Sequence, residues 1–296
     1  MVEGGPIDPG HGGEAGWLQR WRLRVDGDIL TTASSTLIPV VTEGGTAAML
    51  KLSHSEEEER GAALLAAWNG AGAVPVLRLH GEALLEQRAT GSRSLVRLVE
   101  SGNDDDATRI LCSTVATLHA ASTTVTDAAR NQGLPLARST REATLDLVPL
   151  RRWFRELFRH ADDLGALHRE AAGWAAELLA APQDEVALHG DIHHGNVLDF
   201  GEQGWLAIDP KGLLGERAFD YCNLFCNPSH ATALPLVERR FALVTELAGL
   251  DARRFARWVV AWCALSSTWF TIDGDEAHAE GARAIGEHAR KVLPVD

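Results

Sequence analysis

The chain has 296 residues, 45% of them hydrophobic and 23% charged, with a formal net charge of −13. That length and apolar content predict a packed globular protein, and at this size two lobes rather than a single core. The acidic balance excludes the basic face that a nucleic-acid partner requires, and no stretch approaches the roughly 18 apolar residues that cross a bilayer.

Residues 1–16 read as a loose Gly- and Pro-rich arm with neither the basic nor the apolar region of a signal peptide. Cys112, Cys222, Cys226 and Cys263 have no zinc-type spacing and read as buried free thiols, which fits a reducing cytoplasm. Residues 21–25 and 37–41 carry β-type side chains, and Glu43-Gly44-Gly45 predicts a hairpin turn into a strand over 47–52. Ser55 followed by Glu56, Glu57, Glu58 and Glu59 predicts a helix start, with the acids on the positive end of the helix dipole. That helix should run to Trp68 and stop at Asn69-Gly70. Two further strands are expected over 73–80 and 82–86. The break at 87–92 predicts a hinge.

From there the pattern is helical. Helices are predicted over 104–121, where Ile110, Leu111, Val115 and Leu118 recur at helical spacing, and over 142–160, 164–180 and from about 217 onward. One island of β-character interrupts them at 186–208. The domains expected are therefore an arm (1–16), an N-lobe (17–86), a hinge (87–92) and a helical C-lobe (93–296), with a ligand cleft between the lobes.

The island carries the chemistry. It reads His189-Gly190-Asp191-Ile192-His193-His194-Gly195-Asn196, then, beyond a turn, Ile208-Asp209-Pro210-Lys211. Phosphoryl transfer needs a carboxylate to orient the attacking hydroxyl, oxygen ligands for magnesium and a cation on the phosphates. Asp191 suits the first role. Asn196 and Asp209 offer hard oxygens for Mg²⁺, and the spacing of the three matches a kinase catalytic loop. His193 and His194 could instead suggest a zinc hydrolase, but adjacent histidines do not easily face one ion and no third histidine has matching spacing.

Residues 189–196 with Ile208-Asp209-Pro210 resemble the aminoglycoside phosphotransferase branch of the kinase-like fold. The continuation through Lys211-Gly212 to Gly215-Glu216-Arg217-Ala218-Phe219-Asp220 is similar, more narrowly, to the streptomycin 6-kinase and hydroxyurea-resistance kinase group. The resemblance is strongest over 186–228. It implies an α+β, bilobal protein-kinase-like fold and an ATP-dependent kinase of a small hydroxylated substrate. Lys51, the only lysine before Lys211, then matches the ATP lysine. Glu58, with Glu59 second, is its expected partner. Ser34 and Ser35 stand where a Gly-rich phosphate loop would lie, although no G-x-G-x-x-G is present, and Gln87 and Ala89 are expected at the adenine.

A cationic acceptor would need acidic or aromatic partners, for which Glu216, Asp220, Asp273, Asp275, Glu276 and Trp269 are candidates. Asp220 has the alternative role of bracing the catalytic loop. A kinase of another metabolite and a nucleotide-binding pseudokinase are the competing readings. The intact Asp191, Asn196 and Asp209 speak against the second.

Overall fold

The computed structural model describes residues 13–132 and 145–295. The N-lobe runs α1 (Glu14–Trp21), β1 (Arg24–Val25), β2 (Leu30–Thr31), β3 (Ser35–Val41), β4 (Ala47–Ser53), α2 (Glu56–Trp68), β5 (Val76–His80) and β6 (Ala83–Gln87). Its sheet is antiparallel, in the order β1-β3-β4-β6-β5, with β2 also on β3.

Period-two alternation gives the sheet two faces. Ile38, Val40, Ala48, Leu50 and Leu85 bury one face against Trp17 and Trp21 of α1. Leu37, Lys51 and Leu84, paired across β3, β4 and β6, look the other way, into the cleft. Trp17 and Trp21 are an i,i+4 pair, and this spacing makes residues 14–21 a helix where an arm and then a strand over 21–25 were expected. Arg22 ends α1 in the left-handed region (φ 54°), which leaves only two residues for β1. The strand expected over 73–80 begins at Val76, because Gly70 and Gly72, both at positive φ, carry the chain around a turn first. The helix expected from Ser55 stands as read: the Ser55 side chain accepts from the Glu58 N–H, and Asn69 closes the helix at φ 49°.

The C-lobe comprises α3 (Leu95–Glu100), α4 (Asp104–Gln132), β7 (Val148–Pro149), α5 (Leu150–Trp153), α6 (Arg155–Leu164), α7 (Ala166–Ala180), β8 (Glu185–Leu188), β9 (Val197–Asp199), β10 (Trp205–Ala207), β11 (Leu213–Glu216), α8 (His230–Ala233), α9 (Val237–Ala248), α10 (Ala252–Ile272) and α11 (Glu276–Val292). The helix expected over 142–160 begins outside the described residues. Within them, Pro149 pairs with Leu214 in a short parallel bridge and the helix starts only at Leu150. The stretch expected to turn helical from 217 is 3-10 backbone to Cys226, packed behind β8 and β11. α10 is the C-lobe's central helix, buried from Phe255 through Thr268 except at Arg257.

All four cysteines are buried and free. The lobes are tied together by Val74 N–H to the Ala207 carbonyl, 2.9 Å, and by Gly91 N–H to the Asp199 carbonyl, 2.9 Å. No helix among the described residues is long and apolar enough to cross a membrane.

Candidate active site

β8 leads into the loop 189–196 and β9 leads out of it; β8 pairs with β11 and β9 with β10, so two short antiparallel strand pairs hold the ends of the polar loop. Beneath the loop, Asp220 is 1% exposed. Its carboxylate accepts the His189 N–H at 3.1 Å and the Gly190 N–H at 2.7 Å, and it meets His119 Nε2 at 2.8 Å. His189 Nδ1 accepts the Asp191 N–H at 3.2 Å, so its Nε2 carries the proton donated to the Ile208 carbonyl, 2.8 Å away. Burial lowers His189 to about 4, which keeps it neutral in that role. Gly190, at φ +82°, has no room for a Cβ: one would lie 2.6 Å from Leu213 Cδ1.

This frame fixes Asp191. Its Oδ1 accepts from Asn223 Nδ2 at 2.7 Å and its Oδ2 from Asn196 Nδ2 at 3.1 Å. Burial lifts its carboxyl to about 7, with Lys211 opposing and Asp209 adding to the rise. It borders a cavity with Glu57, Trp153, Arg155, Lys211, Trp262 and Trp269.

A second cavity lies on the other side of the loop, between the sheet and α2. Lys51, Glu58, Ser34, Ser35, Asn196 and Asp209 all border it. Lys51 forms ion pairs with both Glu58 and Asp209. Burial works against the ammonium, but Asp209 and then Glu58 hold it above the usual lysine range. Burial likewise opposes the Asp209 charge, and Lys51 and Lys211 keep that carboxyl below its ordinary value.

The donor set fits a magnesium ion. Asn196 commits its Nδ2 to Asp191, leaving an amide oxygen that receives no donor among the described residues, and the Asp209 carboxylate borders the same space. Two protein oxygens with phosphates completing the shell is a usual arrangement for Mg²⁺. No group of three or more His, Cys, Asp or Glu side chains that could hold a metal ion by itself occurs among the described residues.

The phosphate-loop candidates are otherwise engaged. The Ser34 hydroxyl donates to Glu58 at 2.8 Å, and the Thr32–Ser35 turn closes on its own Thr32 hydroxyl. At the hinge the Gln87 and Arg88 N–H groups donate to the Pro75 and Ala47 carbonyls. The Ala89 N–H donates to no protein acceptor among the described residues.

The acidic acceptor candidates lie away from the cavity that Asp191 borders. Glu216 is 3% exposed, and Arg254 (2.7 Å), the Trp258 indole (2.9 Å) and the Gln183 N–H (3.0 Å) occupy it away from the cleft. Asp220 is the brace described above, not an acceptor contact. Asp273 and Glu276 are exposed at the α10–α11 turn, where Asp275 caps α11, and none of the three borders the Asp191 cavity. Trp269 does border it.

Sequence reasoning missed Glu57, Trp153, Lys211, Trp262 and Asn223 as neighbours of Asp191. Only Lys211 carries a local signal, standing two residues after Asp209. Glu86 was missed as well. It is 8% exposed on the cavity that Lys51 borders, and burial raises its carboxyl to about 7, with Lys51 opposing.

Residues 20–274 match the model of the aminoglycoside/hydroxyurea antibiotic resistance kinase family. The chain belongs to this family. It is 45% identical to streptomycin 3''-kinase of Klebsiella pneumoniae, over 93% of this chain and 100% of that one. It is 35% identical to hydroxyurea phosphotransferase of Kitasatospora aureofaciens (97% and 79%), and 32% identical to streptomycin 6-kinase of Streptomyces griseus (93% and 87%).

Among solved structures, an amicoumacin kinase with AMP-PNP superposes with TM-score 0.62 at 13% identity, covering 95% of this chain and 94% of that one. A thermostable aminoglycoside phosphotransferase with ADP and hygromycin B gives 0.61 at 13%, covering 94% and 98%. These likenesses establish the kinase-like fold, and family membership makes this a small-molecule phosphotransferase.

Proposed function

We propose that the protein transfers the γ-phosphoryl group of ATP to a hydroxyl of streptomycin, on the 3'' position, in the cytoplasm. The observation that carries this reading is the paired arrangement around Asp191. A lysine–carboxylate cavity lies on one side and a cavity with three tryptophans on the other, in a chain 45% identical to a streptomycin 3''-kinase along that protein's whole length. The two relatives named for position 6 stand at 32%, which favours position 3''.

In this reading Lys51, kept charged and aimed by Glu58, takes the ATP phosphates. The Ala89 N–H and the Gln87 backbone meet the adenine edge. Asn196 and Asp209 would hold Mg²⁺, which when bound neutralises phosphate charge and fixes phosphate geometry. Ser34 can reach a phosphate only by leaving Glu58.

The acceptor hydroxyl hydrogen-bonds to Asp191, held in place by Asn223 and Asn196, and gives up its proton there as the new O–P bond forms. Trp269, flanked by Trp153 (centroids 5.3 Å apart) and Trp262 (5.7 Å), offers ring faces and edges to a guanidinium-bearing sugar, and Glu57 offers a carboxylate. In this reading the acceptor is met by aromatic rings and by Glu57, which also pairs with Lys211, and not by the acidic α10–α11 turn; Arg155 is a further charged group on the same cavity.

Hydroxyurea is the second reading, favoured by the relative at 35% identity. Phosphate location by NMR on the product tests both. Phosphate on the 3'' carbon supports the proposal. Phosphate on position 6 corrects the site of transfer, and turnover of hydroxyurea alone removes the aminoglycoside.

A further inference from the structure

The first turn of α2 carries four glutamates, and two of them pair with different lysines. Glu58 pairs with Lys51, and its neighbour Glu57 with Lys211, Oε1 to Nζ at 3.3 Å. Asp209 lies between the two lysines, bonded to Lys51 and 3.9 Å from Lys211 Nζ. Lys211 therefore borders the cavity that contains Asp191, while Asp209 borders the nucleotide cavity. Its ammonium stands at the passage between the two.

The backbone there is pinned. The Lys211 N–H donates to the His189 carbonyl at 2.7 Å, and Gly212, at φ +68°, packs so closely on α2 that a Cβ would sit 2.9 Å from Arg60 Cγ. The side chain is 19% exposed. The small lobe leaves a need for such a cation: it has no G-x-G-x-x-G, its Thr32–Ser35 turn is closed on itself, and Ser34 is bonded to Glu58.

We propose that Lys211 is a further catalytic residue, whose ammonium holds the non-bridging oxygens of the γ-phosphoryl group while it passes from ATP to the acceptor, with Glu57 as its positioning residue. The inference rests on the kinase reading above. In the step, the bond from the γ-phosphorus to the β–γ bridging oxygen breaks and its electron pair leaves on ADP. The acceptor oxygen bonds to phosphorus and its proton passes to Asp191. Lys211 remains protonated throughout and acts as a point charge on the oxygens where negative charge gathers.

The test is steady-state kinetics of Lys211→Met, Lys211→Arg and Glu57→Gln with MgATP and streptomycin, alongside MgADP affinity, melting temperature and acceptor-free ATP hydrolysis. For Lys211→Met, kcat should fall about 100-fold or more, the KM for ATP and the MgADP affinity should stay within about threefold, and acceptor-free hydrolysis should fall in parallel. Lys211→Arg should recover part of the rate, and Glu57→Gln should lose about tenfold. The proposal is overturned if Lys211→Met keeps kcat within about threefold, or if its loss appears wholly in ATP KM, MgADP affinity or melting temperature. Wild-type protein that hydrolyses ATP but phosphorylates no acceptor would count against the kinase reading while leaving the Lys211 effect on hydrolysis readable.

Discussion

Lys51 on β4 and Asp209 beyond β10 form an ion pair across the cleft between residues 158 apart in sequence. The pair joins the lobes, and Glu58 completes it from α2; in the proposed function this is the place of the ATP phosphates. On that proposal, ATP binding exchanges the Asp209 contact of Lys51 for phosphate oxygens. Lys51→Met is expected to lower kcat/KM for ATP by about 100-fold or more, and Glu58→Gln by about tenfold. Equal activity of Lys51→Met and wild type in a titration of MgATP would remove Lys51 from the phosphate site.

Gly61 lets α2 approach the Asp209 loop. A Cβ there would stand 2.1 Å from the Pro210 carbonyl oxygen. In an ordinary helix interior, glycine to alanine gains roughly 0.5–1 kcal/mol. Here the sign should reverse: Gly61→Ala is expected to destabilise by about 1–3 kcal/mol and to raise the KM for ATP, because Glu58 and Glu57 move away from their lysines. A more stable, fully active Gly61→Ala would show that the close approach is not required.

Asp220 holds the catalytic loop from below, through two backbone N–H groups and His119. Removing it strands the His189 and Gly190 N–H groups in the interior. Asp220→Ala should cost about 2–5 kcal/mol, seen as a melting temperature lower by roughly 5–15 °C, with kcat reduced more than the KM for ATP. An unchanged melting temperature would contradict the bracing role.

The bilobal fold was legible because its signals are local. The Glu43-Gly44-Gly45 hairpin, the Ser55 cap and the Asp191, Asn196 and Asp209 spacing each sit within a few residues of what they specify. The acceptor side was not legible for the opposite reason. Trp153, Trp262 and Trp269 come together only through the packing of α5 against α10, and acidic side chains such as Glu216 look like ligand groups until Arg254 and Trp258 are seen to occupy them. Trp21 misled in another way, since an aromatic beside β-type residues reads equally well as the start of a strand until the sheet face that it covers with Trp17 is known.

Glu86 gives a pH signature. Burial holds its carboxyl near 7, against an ordinary value of 4.5. A pKa raised on folding means the folded state keeps its proton longer, so stability falls as pH rises from about 4.5 to 7 and the full cost is present above 7. Glu86→Gln removes that dependence. Denaturant melts of the ligand-free protein should show the variant gaining on wild type between pH 5 and 8, by on the order of 2–3 kcal/mol. Parallel stability curves would contradict an unpaired buried acid.

The most direct measurement is streptomycin-stimulated ADP release at saturating MgATP, wild type against Asp191→Asn, with MgADP affinity measured on both. With Asp191 as the base that orients and deprotonates the acceptor hydroxyl, release should fall by about 100- to 10,000-fold in the variant while MgADP binding is retained. Turnover by Asp191→Asn within a few-fold of wild type would contradict the mechanism at its centre.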